Sequence, residues 1–245
     1  MLRPLPPSVP ATRAGLHRVA AHVLARRRQL YTGLIGLRPS PGGVTTPAFG
    51  DDVETLRTSG AILVVERAGV TNRVPLTTLA EAADLAGVDL GVEFSVGERT
   101  PAVGDPDGDL GIDDVAARGL GDWWGFGLQV LDELTAIEPA VTASEAPQLW
   151  PEHFDLACVV TVAGDGGQDR GWRVNLGASV GDGFEPLPYL YVGPWGADRP
   201  GDGTYWNAPF GAVLRHADLA GLPDDEQRPA AVAFLRAGVR GFVSG

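Results

Sequence analysis

Two stretches near the middle of the chain alternate apolar and polar residues with the same parity. Successive side chains of a β-strand point to opposite faces, so this alternation predicts two strands whose even positions face a core. If the two strands are neighbours, matched parity restricts their pairing to even shifts. The even positions carry Phe154, Leu156, Cys158, Val160 and Val162 in the first stretch and Trp172, Val174 and Leu176 in the second.

The spacing also predicts a register. If residue 163 pairs with residue 171 across a loop over 164–170, Val159 lies opposite Asn175 and Asp155 lies opposite Ser179. A third strand over 187–192 adds two tyrosines to the odd face. That face then combines an acid, hydroxyls and aromatic rings, the mixture from which small-molecule sites are built.

Candidate site residues follow from this odd face and its flanks. If the site is catalytic, His153 is the acid–base group and Asp155 orients it. The binding candidates are Trp150, Asn175, Ser179, Tyr189, Tyr191, Trp195, Trp206 and Asn207. The alternatives are a merely solvated sheet face and an exposed aromatic surface for non-catalytic interaction or self-association. The positions of Trp195 and Trp206 distinguish a ligand site from an interaction surface. In a ligand site they line a closed concavity, and in an interaction surface they lie on a flat exposed patch.

The remainder of the chain indicates an α+β fold with antiparallel sheet and about four helices, including one near each terminus. Helical periodicity covers 12–31, 112–137 and 229–242. We expect a single domain, with a loose similarity between segments 11–90 and 112–245 joined by a loop at about 91–111. Gly33 suits the position just past the end of the first helix. Further features are strands over 34–37, 53–56, 62–66 and 71–76, and a capping box of Thr78 and Glu81.

Two details of the helical segments need tertiary explanations. Arg27 lies within the apolar stripe of the first helix, where it either extends to solvent or meets a buried acid; we expect the former because it is near the helix end. Four glycines in segment 112–137 indicate either a closely packed backbone or a break near residues 119–121.

Composition restricts the class of protein. The formal net charge is −12, which argues against nucleic acid as a partner. All 19 basic residues are arginine, so lysine chemistry is excluded. The single cysteine, Cys158, excludes intramolecular disulfides and is expected to be an inert buried thiol. We expect a cytoplasmic protein with no membrane partner, cofactor or metal, while a small-molecule ligand and a homo-oligomer stay open.

The segment containing Ser179 matches the G-x-S-x-G pattern of serine hydrolases. That pattern requires a helix directly after the serine. The following residues, 182–186, contain glycine and proline and cannot begin a helix of useful length. We therefore interpret the glycines as the end of a strand.

Several longer motifs, LWPEHFDLA, NLGASVGD, PYLYVGPW and YWNAPFGAVL, resemble an uncharacterised family of actinobacterial proteins. The segments LHRVAAHVLARRR and IGLRPSPGGVTTPAFG are similar to that family as well. The resemblance spans most of the chain and implies a cytoplasmic protein from a high-GC bacterium. It implies no activity and transfers no functional residue. Val44 departs from the family pattern, which has an aromatic residue there.

Overall fold

The computed structural model describes residues 1–163 and 171–243. Within them the chain forms two antiparallel sheets with helices at both termini, so the predicted α+β class is confirmed. The loop expected over 164–170 lies outside the described residues. None of the described helices combines the length and apolar character that a membrane crossing needs.

The described helices begin with α1 and a π-helical turn near the N-terminus and end with the long helix α6. Their bounds are α1 Val9–Val19, the π-helical turn Ala20–Ala25, α2 Arg26–Thr32, α3 Leu79–Ala86, α4 Asp114–Ile137, α5 His216–Ala220 and α6 Asp224–Val243.

The first sheet has the order β1-β2-β3-β4-β5. The second has the order β11-β10-β9-β8-β6, and its sixth strand, β7, pairs with β8 off this path. The strands are β1 Arg38–Ser40, β2 Gly43–Thr45, β3 Thr55–Ser59, β4 Ile62–Arg67, β5 Val70–Pro75, β6 Val141–Ala143, β7 Gln148–Trp150, β8 Asp155–Val162, β9 Trp172–Ser179, β10 Tyr189–Pro194 and β11 Ala212–Arg215. The predicted strand over 34–37 is wrong: Leu34 is exposed after the helix end, and only Leu37 is bridged, to Leu149.

The chain divides into two compact units. The six-stranded unit comprises Met1–Pro4, Phe126–Pro147 and Leu156–Gly245, and the five-stranded unit comprises Leu5–Gly125 and Gln148–Asp155. Helix α4 contributes its first half to one unit and its second half to the other. The proposed similarity of segments 11–90 and 112–245 stays a prediction.

In the five-stranded unit, the helix predicted over 12–31 is found with a π-helical turn in its middle. Gly33 ends it in the left-handed conformation, as predicted. Arg27 does not extend to solvent, which corrects the expectation: its Nε and Nη2 donate to Glu54 at 2.8 and 3.0 Å. Because Glu54 comes from a distant turn before β3, helical periodicity alone could not reveal this buried partner.

Helix α4 runs without a break, so the alternative of a kink at residues 119–121 is wrong. Gly121 instead lies directly against the backbone of Gly42 and Gly43, where a β-carbon would collide. The predicted close backbone approach is confirmed. Of the predicted capping box, the N-cap bond is confirmed: Glu81 N donates to Thr78 Oγ1 at 3.2 Å, and the Thr78 hydroxyl donates to the Glu81 carboxylate at 3.2 Å.

In the six-stranded unit, α6 and the second half of α4 pack on the same sheet face. Gly238 of α6 contacts Val192, and Gly127 of α4 contacts Ala178, both even-numbered strand residues. The even face is therefore the core face. Its buried residues are Leu156, Cys158, Val160, Val162, Val174, Leu176, Ala178, Leu190 and Val192.

Candidate functional site

The odd face of the six-stranded sheet has the register that the sequence predicts. Val159 is paired with Asn175 between β8 and β9. Between β9 and β10, Tyr189 is paired with Ser179 and Tyr191 with Gly177. Since α4 and α6 occupy the even face, the odd face is left for polar and aromatic side chains.

Four aromatic rings cover one end of this face. Tyr189 and Tyr191 project from β10, and Phe184 and Phe210 come from the adjoining loops. Phe184 and Phe210 meet edge to face, with ring centroids 5.3 Å apart, and Phe210 lies 6.5 Å from Tyr191 in the same geometry. Gly177 provides space beneath the Tyr191 ring, which would collide with a β-carbon at that position. The rings thus form one connected aromatic cluster.

Trp195 is exposed to 56% and yet is fixed in place. Its backbone N–H donates to the Arg173 carbonyl at 3.0 Å, which extends the strand ladder past β10. Its indole N–H donates to Asn175 Oδ1 at 2.7 Å. The Arg173 guanidinium lies 3.7 Å from the ring centroid, within cation–π range. An exposed ring held by three contacts loses little conformational entropy when a ligand stacks on it.

Gly193 separates Trp195 from the aromatic cluster. It lies between Tyr191 and Trp195 on the odd face, and it is paired with Asn175 of β9. Residues four apart on a strand are about 13 Å apart. Because Gly193 has no side chain, nothing projects from β10 between these two aromatic residues. We call Tyr191, Gly193, Trp195, Asn175 and Arg173 the Trp195 trough.

Ser179 and Tyr189 belong to the packing of the sheet rather than to the trough. Ser179 is buried at the end of β9, and its Oγ accepts the Gly181 N–H at 3.1 Å. No helix follows it, so the strand-end interpretation is confirmed. The buried Tyr189 donates its hydroxyl to Asp182 at 2.8 Å.

Trp206 and Asn207 have local structural roles. Trp206 packs edge to face on Tyr205 and Phe242 and donates its indole N–H to the Pro200 carbonyl. Asn207 is hydrogen-bonded to the backbone of Val213. Of the two tryptophans chosen as discriminators, Trp195 lies on the exposed face and Trp206 against helix α6.

His153, Asp155 and Trp150 belong to the five-stranded unit, whereas the trough residues belong to the six-stranded unit. His153 lies in a turn before β8, so its expected place on the strand is wrong. Its Nε2 is 3.9 Å from the Glu152 carboxylate. Asp155 is the first residue of β8 and is buried, and Trp150 ends β7.

Two other histidines in the five-stranded unit have well-defined partners. His17 stacks on Phe154 at 5.0 Å and its Nε2 meets the Pro151 carbonyl at 2.8 Å. His22 Nε2 meets the Pro101 carbonyl at 2.6 Å. Burial lowers the pKa of both imidazoles, so they are neutral packing groups near pH 7. Among the described residues, no group of three or more His, Cys, Asp or Glu could hold a metal ion.

A separate open recess of about 570 Å³ lies in the five-stranded unit. It is lined by Asp51, Asp52, Val53, Glu66, Arg67, Ala68 and Gly69. Arg67 Nε already donates to the Glu54 carboxylate. The positive charge that lines this recess is therefore paired within the protein. We therefore place the candidate site at the Trp195 trough.

Sequence reasoning missed Gly193, Phe184 and Phe210 as parts of this surface. Gly193 could have been identified from the sequence. It lies two residues from both Tyr191 and Trp195, and a glycine at that strand spacing has no side chain on the face that they share. Phe184 and Phe210 could not have been identified, since they lie in loops whose path only the folded chain defines. No protein-family model matches this chain, and comparisons with curated proteins and with solved structures found no match either.

Proposed function

We propose that the protein is a non-catalytic binding protein that holds a small planar ligand in the Trp195 trough. The observation that carries this proposal is that Trp195 is both exposed and fixed, with a glycine gap beside it. Trp combines a large apolar ring with a polar N–H and is enriched where proteins bind partners, and aromatic side chains are frequent anchors of bound partners.

The polar groups restrict the ligand class. Asn175 Oδ1 is occupied by the indole, so its NH₂ group is the part of the amide that a ligand can meet. Arg173 adds a positive charge at the same edge. Both groups favour a ring that carries a carbonyl or anionic oxygen, such as an aromatic acid or an oxo-substituted heterocycle.

The roles of the polar residues on this face support a binding function over a catalytic one. Ser179 accepts a backbone hydrogen bond and Tyr189 donates to Asp182. The polar groups of the trough are the Asn175 amide, the Arg173 guanidinium and the Tyr191 phenol, and none of them is a general base near neutral pH. The trough can therefore hold and orient a ligand.

The test is ligand-observed NMR with a panel of planar acids, nucleobases and monosaccharides, followed by affinity measurement on any binder. Gly193→Val should fill the trough while Trp195 stays in place, and should weaken binding at least tenfold. Leu187→Ala, at an exposed site outside the trough, is the matched control and should bind like wild type.

Two outcomes would overturn the proposal. One is that no member of the panel binds, and the other is that Gly193→Val binds as well as wild type. Concentration-dependent self-association that Trp195→Ala abolishes would replace the ligand site with the alternative of an interaction surface.

A further inference from the structure

Strand β5 is an edge strand with solvent on both faces. It ends the sheet order β1-β2-β3-β4-β5, and among the described strands it pairs with β4 alone. Val70 is 58% exposed, and residues 71–73 and Pro75 are exposed as well. Strands left open in this way are templates for pairing with another chain.

The outward-facing backbone groups of β5 follow from its ladder. Leu76 N donates to the Ala61 carbonyl, and hydrogen-bonded residues alternate along an antiparallel strand. Val74, Asn72 and Val70 therefore direct their N–H and C=O groups toward β4. Thr71 and Arg73 direct theirs away from the sheet, which gives two donors and two acceptors on an open edge.

At the β11 end of the six-stranded sheet, the outer strand edge is hydrogen-bonded by a side chain of the same chain. At β11 the Asn207 amide accepts the Val213 N–H and donates to the Val213 carbonyl. A side chain thus takes the place of a neighbouring strand there. In strand β5, the residues that discourage pairing are Pro75 at its end and the charged Arg73.

We propose that β5 of a second copy of this chain adds to this edge antiparallel, with a two-fold axis at Asn72. Thr71 then lies opposite Arg73 of the second copy, and each such pair exchanges two hydrogen bonds. Val70 lies opposite Val74 of the second copy, so the exposed valine is covered. The symmetry repeats both pairs and gives four backbone hydrogen bonds in all.

Charge and proline select this register over its neighbours. Moving the axis to Arg73 places two arginines opposite each other and sets Pro75, which has no N–H, against Thr71. Moving the axis to Thr71 sets Arg73 against Gly69 of the hairpin turn. With the axis at Asn72, Arg73 of the second copy lies opposite Thr71, and Thr71 is paired with Glu66 of β4. The three residues are therefore cross-strand neighbours on one face of the combined sheet. Opposite charges then lie on the same face.

The proposed contact is small, because it uses about six residues of each copy. Interfaces below about 1,200 Å² belong to weak or transient complexes. We therefore expect a dimer whose population rises with protein concentration, measurable by sedimentation velocity across a concentration series.

Disulfide trapping tests the register directly. At the proposed two-fold axis, Asn72 lies opposite Asn72 of the second copy as a non-hydrogen-bonded pair. The Cα atoms of such a pair are about 4.5 Å apart, a separation that a disulfide can span. Asn72→Cys should therefore form a covalent dimer on mild oxidation. Thr71→Cys is the matched control and should remain monomeric, because its partner in the second copy is Arg73. The native Cys158 is buried and does not interfere.

Arg73→Pro supplies a second variant that leaves the β4 pairing intact, because the Arg73 N–H points away from β4. It should abolish association while far-UV circular dichroism shows an unchanged fold, whereas Arg73→Ala keeps the N–H and should still associate. Wild type that sediments as a monomer at every concentration would overturn the proposal. Equal cross-linking of the Asn72→Cys and Thr71→Cys variants would overturn it as well. Trp195→Ala should leave this association unchanged, which separates it from the trough.

Discussion

Asn207 replaces a missing neighbour strand for Val213. Its side-chain oxygen accepts the Val213 N–H at 2.8 Å and its NH₂ group donates to the Val213 carbonyl at 3.0 Å. Both outward-facing backbone groups of Val213 are thereby satisfied from within the same chain. A residue that the sequence indicated as a ligand contact therefore protects the edge of the sheet.

Removal of the Asn207 amide should weaken the β11 edge. Asn207→Ala loses two hydrogen bonds that each contribute about 0.5–1.5 kcal/mol, so the free energy of unfolding should fall by about 1–3 kcal/mol. Asn207→Asp keeps the acceptor and loses the donor, so its loss should be smaller. Urea unfolding of the three proteins measures the difference, and equal stabilities would show that water replaces the amide without cost.

Glu54 should be a centre of stability in the five-stranded unit. Arg27 and Arg67 both donate to its buried carboxylate. Removing the charge leaves two cations without their partner, so Glu54→Gln should cost about 3–5 kcal/mol. The exposed pair Asp114 and Arg118 provides the control, since Asp114→Asn should cost less than about 1 kcal/mol.

The same ion pair should make stability depend on acid pH. Burial raises the pKa of Glu54, but the hydrogen bonds from Arg27 and Arg67 outweigh burial and the net pKa is lowered. The stabilisation is therefore complete above the unfolded pKa of about 4.3 and is lost as the pH falls through the lower folded pKa. Glu54→Gln should lack this part of the acid dependence in urea titrations at successive pH values. A curve parallel to wild type would contradict the ion-pair explanation.

His216 should add a second pH dependence at milder pH. Burial lowers its pKa to about 4, whereas the unfolded value is about 6.5. The unfolded state then binds the proton first, so stability is complete above about pH 6.5 and falls toward pH 4 by about 1.4 kcal/mol per unit. His216→Gln should reduce this slope between pH 6 and about pH 4.5. His17 and His22 also have lowered pKa values, and their contribution is common to both proteins.

Cys158 should be unreactive in the native protein. It lies within β8, and burial raises the pKa of its thiol to about 12. Because the thiolate is the reactive form, Ellman's reagent should detect no thiol without denaturant and one equivalent in urea. Rapid labelling of the native protein would mean that β8 opens on the timescale of the assay.

Ser179 should not behave as a nucleophile. Its Oγ accepts the Gly181 N–H, and no helix follows to supply oxyanion donors. A fluorophosphonate probe should leave the protein unlabelled under conditions that label a serine hydrolase to completion. Stoichiometric labelling at Ser179 would restore the hydrolase interpretation.

Period-two alternation in the sequence determined much of the six-stranded sheet. The pairing of Val159 with Asn175 followed from parity together with an assumed loop over 164–170, and a slip of one residue would have exposed every core side chain. Local chemistry also determined the capping box at Thr78 and the helix end at Gly33. These features depend on neighbours within a few residues, which the sequence displays directly.

Only the tertiary structure decided which partners the remaining polar and aromatic residues meet. Arg27 bonds Glu54 rather than water, Trp206 packs on Phe242 rather than in a ligand cleft, and Asn207 closes a strand edge. Each of these contacts joins residues that are far apart in the chain or that meet through an irregular loop. Periodicity predicts which face of an element a side chain occupies, but the partner that reaches that face is set by how the elements pack. That is why the odd face was predictable and the trough beside Trp195 was not.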